Sequence, residues 1–195
     1  MSDKKYALFS ISNKQAPHFK RLVHVAHETG YTLLSSRGTF THIKDVLGLP
    51  VVDVEEVTKF PPILGHRVVT LDPRIHGGLL ADRNTQMEEL VRLDLPYIDM
   101  LVCTFYPLAQ TIADHGEDFD KVTESIDIGG PAMIRSACKG DRIVIASEDL
   151  FEDLADRLVA KTVNHARRRI YQAYSANVVA SYVALEAEYR SRWVP

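Results

Sequence analysis

Short apolar runs alternate with amphipathic stretches along most of this chain, and few architectures accommodate that order. An apolar run of strand length asks to be covered on both faces, and an amphipathic helix has one face to bury. A mostly parallel sheet with helices packed over it satisfies both. The runs are Tyr6 to Ile11, Tyr31 to Ser35, Val51 to Val54, Ile98 to Phe105 and Arg142 to Ile145. The fourth is almost continuously apolar, which predicts a central strand. After Pro17, residues Phe19, Leu22, Val23 and Ala26 recur at the spacing of a helix with one buried face, and Gly30 can supply its left-handed stop. Ser36-Arg37-Gly38-Thr39 is a polar turn leading into a short helix through Val46. Thr85 to Leu93 and Asp149 to Leu158 also read as helices. A long helix is predicted over 164–189, with Ile170, Ala173, Tyr174, Val178, Tyr182 and Leu185 on one face. Phe60-Pro61-Pro62 forbids a regular helix and Pro73 interrupts the chain beyond Val68 to Leu71, so the middle is expected to be loops of the kind that carry function.

With 195 residues the chain can bury one substantial core, so a single domain over 1–195 is expected. No apolar run approaches membrane-span length, and the start, MSDKKYALFS, lacks a secretory pattern, which predicts a cytoplasmic protein without a membrane partner. Cys103 and Cys138 are too few for a disulfide framework and read as buried free thiols. A net charge of −3 argues against a general nucleic-acid binder and leaves room for a local basic pocket. His24 and His27 lie three apart without a third ligand nearby, so no metal is predicted.

In an open parallel sheet, ligands bind beyond the carboxyl ends of the strands. Ser12 and Lys14 follow the first strand, Ser36, Gly38 and Thr39 the second, and Thr104 to Pro107 the central one. Hydroxyls, a lysine and free backbone N–H groups suit a phosphate dianion. The same residues also suit helix caps and a solvated lysine, and both readings stay open. The segment Ile126 to Lys139, IDIGGPAMIRSACK, joins an acid, Asp127, to the pair Gly129-Gly130, a proline at a helix start, and the cations Arg135 and Lys139 on one helix face. The glycine N–H groups suit a ligand oxygen. Acid and cations either line one pocket or complement the two ends of the helix dipole.

Taken in order, these segments resemble the IMP cyclohydrolase part of the bifunctional purine-biosynthesis enzyme. The matching series runs through an S-x-x-K-like start at Ser10 to Lys14, the turn at Ser36, Gly38 and Thr39, then VTKFP, GHRVVTLDPRIHGGLLA, FYP, IDIGGPAMIRSACK and QAYSANVVASYVALE, which covers almost the whole chain. The resemblance implies a methylglyoxal-synthase-like three-layer α/β fold with a mostly parallel, doubly wound sheet, and no transformylase domain. It further implies a homodimer that works without metal or organic cofactor. The implied substrate is a formylated aminoimidazole carboxamide ribonucleotide, whose carboxamide nitrogen attacks the formyl carbon before water leaves. By the same match Tyr106, Asp127 and Lys139 take catalytic positions. Ser12, Lys14, Ser36, Gly38 and Thr39 match the phosphate site, and Arg67 and Thr70 match residues that place the substrate.

The departures fall on the same motifs. The family's R-V-K-T-L-H-P reads here Arg67-Val68-Val69-Thr70-Leu71-Asp72-Pro73, so Val69 replaces a lysine and Asp72 a histidine. Thr104 stands for an asparagine, and Arg37 stands for a glycine in the S-x-G-G-T turn and is a candidate replacement cation. The changes at Val69 and Asp72 are expected to reshape the pocket. Three functions are therefore open: an IMP cyclohydrolase, a diverged ring-closing enzyme for a related nucleotide such as a purine-like antibiotic, and a nucleotide-binding protein without catalysis.

Overall fold

The computed structural model describes residues 4–194, so the ends of the expected domain, residues 1–3 and 195, lie outside the described residues. Elements follow in the order β1 (Lys5–Ser10), α1 (Phe19–Glu28), β2 (Tyr31–Ser35), α2 (Arg37–Thr41), β3 (Val51–Asp53), α3 (Val54–Thr58), α4 (Pro73–Leu80), α5 (Met87–Arg92), β4 (Ile98–Cys103), α6 (Leu108–His115), α7 (Phe119–Glu124), α8 (Gly129–Lys139), β5 (Ile143–Ile145), α9 (Phe151–Val159) and α10 (His165–Ser191). The five strands form one sheet in the order β3-β2-β1-β4-β5, and every pairing is parallel.

Successive residues of a strand face opposite sides, and the core divides accordingly. Ala7, Phe9, Met100 and Val102 face one layer, closed by α1, α9 and Tyr171. Leu8, Ile98, Leu101 and Cys103 face the other, closed by α4, α8 and Val179. Burying each such side chain contributes about 1.5–3 kcal/mol before ordering costs. This is the predicted three-layer fold, with the predicted central strand in place. Gly30 takes its left-handed stop at φ 93°. Among the described residues, no helix is long and apolar enough to cross a membrane.

Two sequence expectations need correction. Pro73 does not break structure but starts α4, where its missing N–H is not needed, and Asp72 caps that helix by accepting the Arg74 N–H at 2.7 Å. Over its first half the buried face of α10 is displaced by one position from the expected one, while Tyr182 is buried as expected. Tyr171, Ser175, Val179, Tyr182 and Tyr189 are buried, whereas Ile170 and Tyr174 are 54% and 42% exposed. Ser175 misled the apolar count: it is buried because its hydroxyl donates to Val144 O at 3.0 Å, which lets α10 lie close on β5.

The neighbouring glycines of α4 differ in what surrounds them. A Cβ on Gly78 would come 2.4 Å from Pro96 O, inside contact distance, whereas one on Gly77 would meet only Leu95 Cδ1 at 3.7 Å. Thermal or urea unfolding of the two alanine variants should therefore give opposite signs. Gly78→Ala is expected to lose about 1–3 kcal/mol through overpacking, and Gly77→Ala to gain up to about 1 kcal/mol through helix propensity.

Candidate functional site

The chain leaves β1 toward β2 on one side and later returns to place β4 on the other, so the ends of β1 and β4 diverge into loops at a switch point. Ser10 and Cys103 are register partners there. Immediately beyond them a stitch of hydroxyls fixes the floor of a cleft. The Ser12 N–H donates to Thr104 Oγ1 at 3.0 Å, the two hydroxyl oxygens lie 3.0 Å apart, and the Thr104 N–H donates to Ser10 O at 3.0 Å. Thr39 clamps the adjacent residue from α2, accepting the Ile11 N–H at 3.0 Å and donating to Ile11 O at 3.2 Å.

The cleft measures about 950 Å³ and is lined by Ser12, Lys14, Ser36, Arg37, Gly38, Thr39, Arg67, Thr70, Thr104, Tyr106, Asp127, Gly129 and Gly130. Every residue given a catalytic or substrate-binding position from the sequence is thus brought together except Lys139. Lys139 ends α8 while Gly129 begins it, so about 15 Å of helix separates Lys139 from the cleft, and its side chain is exposed. It sits in the last turn, where a cation complements the helix dipole. Arg135 likewise lies outside the cleft lining.

The phosphate-like end is built from β1 and β2. Lys14 Nζ donates to Ser12 O at 3.3 Å, and a Cβ on Gly38 would come within 3.3 Å of that nitrogen, so the glycine leaves room for the ammonium. Arg37 stands where the resembled turn carries glycine, and its φ of 47° is the left-handed region that glycine favours. Its guanidinium contacts His66 Nε2 on the 60–71 loop.

At the other end, the glycine pair is explained by crowding. A Cβ on Gly129 would be 2.8 Å from Thr70 Oγ1, and one on Gly130 would be 2.8 Å from the Phe105 ring and 2.9 Å from Asp127 Oδ2. The Asp127 Oδ1 accepts the Gly130 N–H at 2.8 Å, so the carboxylate caps α8 and lines the cleft at once. The Asp127 backbone N–H donates to Tyr182 OH at 2.8 Å, and the Tyr182 ring packs on Phe105 with centroids 4.9 Å apart, which ties this corner to α10. Burial pushes the Asp127 carboxyl up from the ordinary aspartate range, against the pull of the Gly130 and Gly129 N–H groups. Cys103, fully buried beneath it, has its thiol pushed up by burial and then by the Asp127 charge. Tyr106 is 61% exposed on the rim.

Val69 lines the cleft, so the missing lysine is a change in the site itself. Asp72 is different: it caps α4, ion-pairs with Arg74 at 3.4 Å and is not among the lining residues, which corrects the expectation that it reshapes the pocket. The sequence reading missed Thr111, Thr123, Glu124 and Arg190, which also line the cleft. The first three come from α6 and the end of α7, two short helices with little apolar periodicity to mark them. Arg190 comes from the last turns of α10 and follows the buried Tyr189, so a correctly phased buried face would have pointed to it. Among the described residues, no three His, Cys, Asp or Glu side chains are grouped as metal ligands.

The Asp127 shift has a stability consequence. A carboxyl whose folded pKa is raised binds protons better folded than unfolded, so its ionisation costs stability as pH rises from the ordinary value of 3.8 through the folded one. Asp127→Asn keeps the Oδ1 acceptor and removes that cost. Urea unfolding should show the variant more stable than the parent at neutral pH, with the gain vanishing as pH falls toward 3.8.

Comparison with known proteins fits this geometry. The MGS-like domain description matches residues 19–132. The bifunctional purine biosynthesis protein PurH of Leuconostoc mesenteroides subsp. mesenteroides is 40% identical over 94% of this chain and 36% of its own length. PurH of Listeria monocytogenes serotype 4a is 39% identical over 95% of this chain and 37% of its own length. The chain therefore spans about a third of the length of the curated relatives it matches. The crystal structure of ForH superposes with a TM-score of 0.80 at 25% identity, covering 96% of this chain and 97% of that one. A five-stranded parallel sheet with helices on both faces, a match across residues 19–132, and PurH relatives along nearly the whole chain identify it as a member of the MGS-like domain family.

Proposed function

We propose that this chain closes the pyrimidine ring of a formylated aminoimidazole carboxamide ribonucleotide to give IMP with loss of water, as an IMP cyclohydrolase. The observation that carries the reading is the position of Asp127: partly buried, held by the Gly130 N–H, and lining the same cleft as Ser12, Lys14 and Thr39. The substrate's phosphate lies at the β1–β2 end, against Lys14, Ser36, Gly38 and Thr39, and its imidazole reaches toward Thr104 and Asp127. Holding carboxamide and formyl groups of one molecule in attack geometry supplies much of the rate, since intramolecular positioning is worth up to about 7–11 kcal/mol.

Asp127 takes the proton from the attacking carboxamide nitrogen and returns one to the departing oxygen. Burial pushes its pKa up from the ordinary aspartate value, which makes it a better proton acceptor than an exposed carboxylate. The Tyr106 hydroxyl, in the same cleft, is the donor for the oxyanion that forms at the formyl carbon, since the Gly129 and Gly130 N–H groups are already turned to Asp127. Lys139 has no part in this site as the single chain builds it. A homodimer belongs to the same reading, and the exposed Ile170, Tyr174 and Val183 on α10 supply apolar surface for it.

Val69 favours a second reading, in which the cleft closes a ring on a related nucleotide. An isopropyl group brings neither charge nor donor where the resembled motif carries a lysine, and it lines the cleft directly.

Purified protein should convert the formylated nucleotide to IMP, followed by the ultraviolet change on ring closure. Asp127→Asn should lower kcat by at least about 100-fold. No IMP from the parent protein, with IMP formed by Val69→Lys, would overturn this reading in favour of divergence to another nucleotide or loss of catalysis. Lys14→Ala is expected to weaken IMP binding by about 10- to 100-fold, the value of a charge-assisted hydrogen bond, with unfolding unchanged. Equal affinity in calorimetry would remove Lys14 from the site.

A further inference from the structure

The cleft carries an ion pair of its own. Arg67, on the 60–71 loop, and Glu124, the last residue of α7, both line it. Arg67 Nε donates to Glu124 Oε1 at 3.1 Å while its Nη2 donates to Oε2, so guanidinium and carboxylate meet with both teeth. The contact joins residues 57 apart in sequence and ties the loop to the rim of the cleft formed by α7. Among the described residues, the Glu124 carboxylate has no other hydrogen-bond partner, and α7 is capped without it, by Asp118.

This fork-to-fork geometry is the one a guanidinium also offers to the paired oxygens of a phosphate or carboxylate ligand. The two side chains are 68% and 59% exposed, so water and salt compete with the pair, and opening it is easy. The arrangement is therefore both complementary to a ligand oxyanion and readily surrendered to one. The neighbouring His66 is tied to Arg37, so the loop keeps an anchor beside Arg67 when the ion pair opens.

We propose that Glu124 is a built-in competitor for the ligand, occupying Arg67 in the empty cleft and releasing it when the oxygens of an entering nucleotide take its place. Glu124 is then a positioning residue that acts through Arg67, setting affinity and rejecting molecules that offer Arg67 no oxygen pair. For the identity of the ligand this rests on the nucleotide reading of the cleft. For the exchange itself it rests on the ion pair. An affinity reduced by the fraction of competent protein is recovered when the competing state is removed, so a pair that is mostly closed predicts a gain of about 3- to 10-fold on deleting the carboxylate charge.

The test is a double-mutant cycle by titration calorimetry, run once with IMP and once with inorganic phosphate. Glu124→Gln should bind IMP about 3- to 10-fold more tightly than the parent, Arg67→Ala should bind it more weakly, and Glu124→Gln in the Arg67→Ala background should give no gain. A gain that persists without Arg67 would mean simple removal of a repelling charge and would overturn the proposal. So would a Glu124→Gln variant that gains affinity for neither ligand. If IMP does not bind but the Glu124→Gln gain for phosphate appears and depends on Arg67, the exchange stands and the nucleotide reading falls.

Discussion

The position of β1 between β2 and β4 governs everything that happens in the cleft. All three strands are parallel and covered on both faces, so their carboxyl ends emerge together, and the chain must turn one way after β1 and the other way after β4. That divergence opens a gap, and the hydroxyls of Ser12, Thr39 and Thr104 close its floor without filling it. Thr39 and Thr104 spend their hydrogen bonds on the backbone of residues 11 and 12, so the polar loops are held at the cost of no free donor from the strands. A rigid sheet thereby presents a lysine and a partly buried acid to one cleft.

The second constraint is the start of α8. Two glycines in succession let the helix approach Thr70 and Phe105 more closely than any Cβ permits, and that approach is what presses Asp127 into partial burial. Capping and burial thus meet at one residue: the N–H of Gly130 holds the carboxylate in place, while burial pushes its pKa up. The long α10 completes the corner through Tyr182 and brings Arg190 to the rim, so residues from both ends of the chain meet at one cleft.

Much of this was legible in the sequence for physical reasons. Apolar runs announce buried strands because nothing else buries both faces, and the loops after those strands had to hold the site. The capping alternative fails at Ser12 and Thr39, which bond Thr104 and the Ile11 backbone and cap no helix, whereas Asp127 both holds a helix N–H and lines the cleft. What escaped depended on tertiary placement. Pro73 was indistinguishable from a break until Asp72 was seen to cap α4, and a buried serine hid the true face of α10. Lys139 and Asp127 belong to one motif, yet a helix of eleven residues carries them apart. Glu124 bears no local signal, because only the closing of the fold brings it to Arg67, 57 residues away.

The central claim is that the gap between the ends of β1 and β4 is the nucleotide site of this chain. Amide chemical-shift mapping on addition of IMP tests it most directly. The account predicts shifts concentrated at Ser12, Thr39, Asp127 and Gly130, with the separate hollow of about 640 Å³ beside His115 and Trp193 left unchanged. Shifts confined to that second hollow, or none in the cleft at saturating IMP, would contradict it.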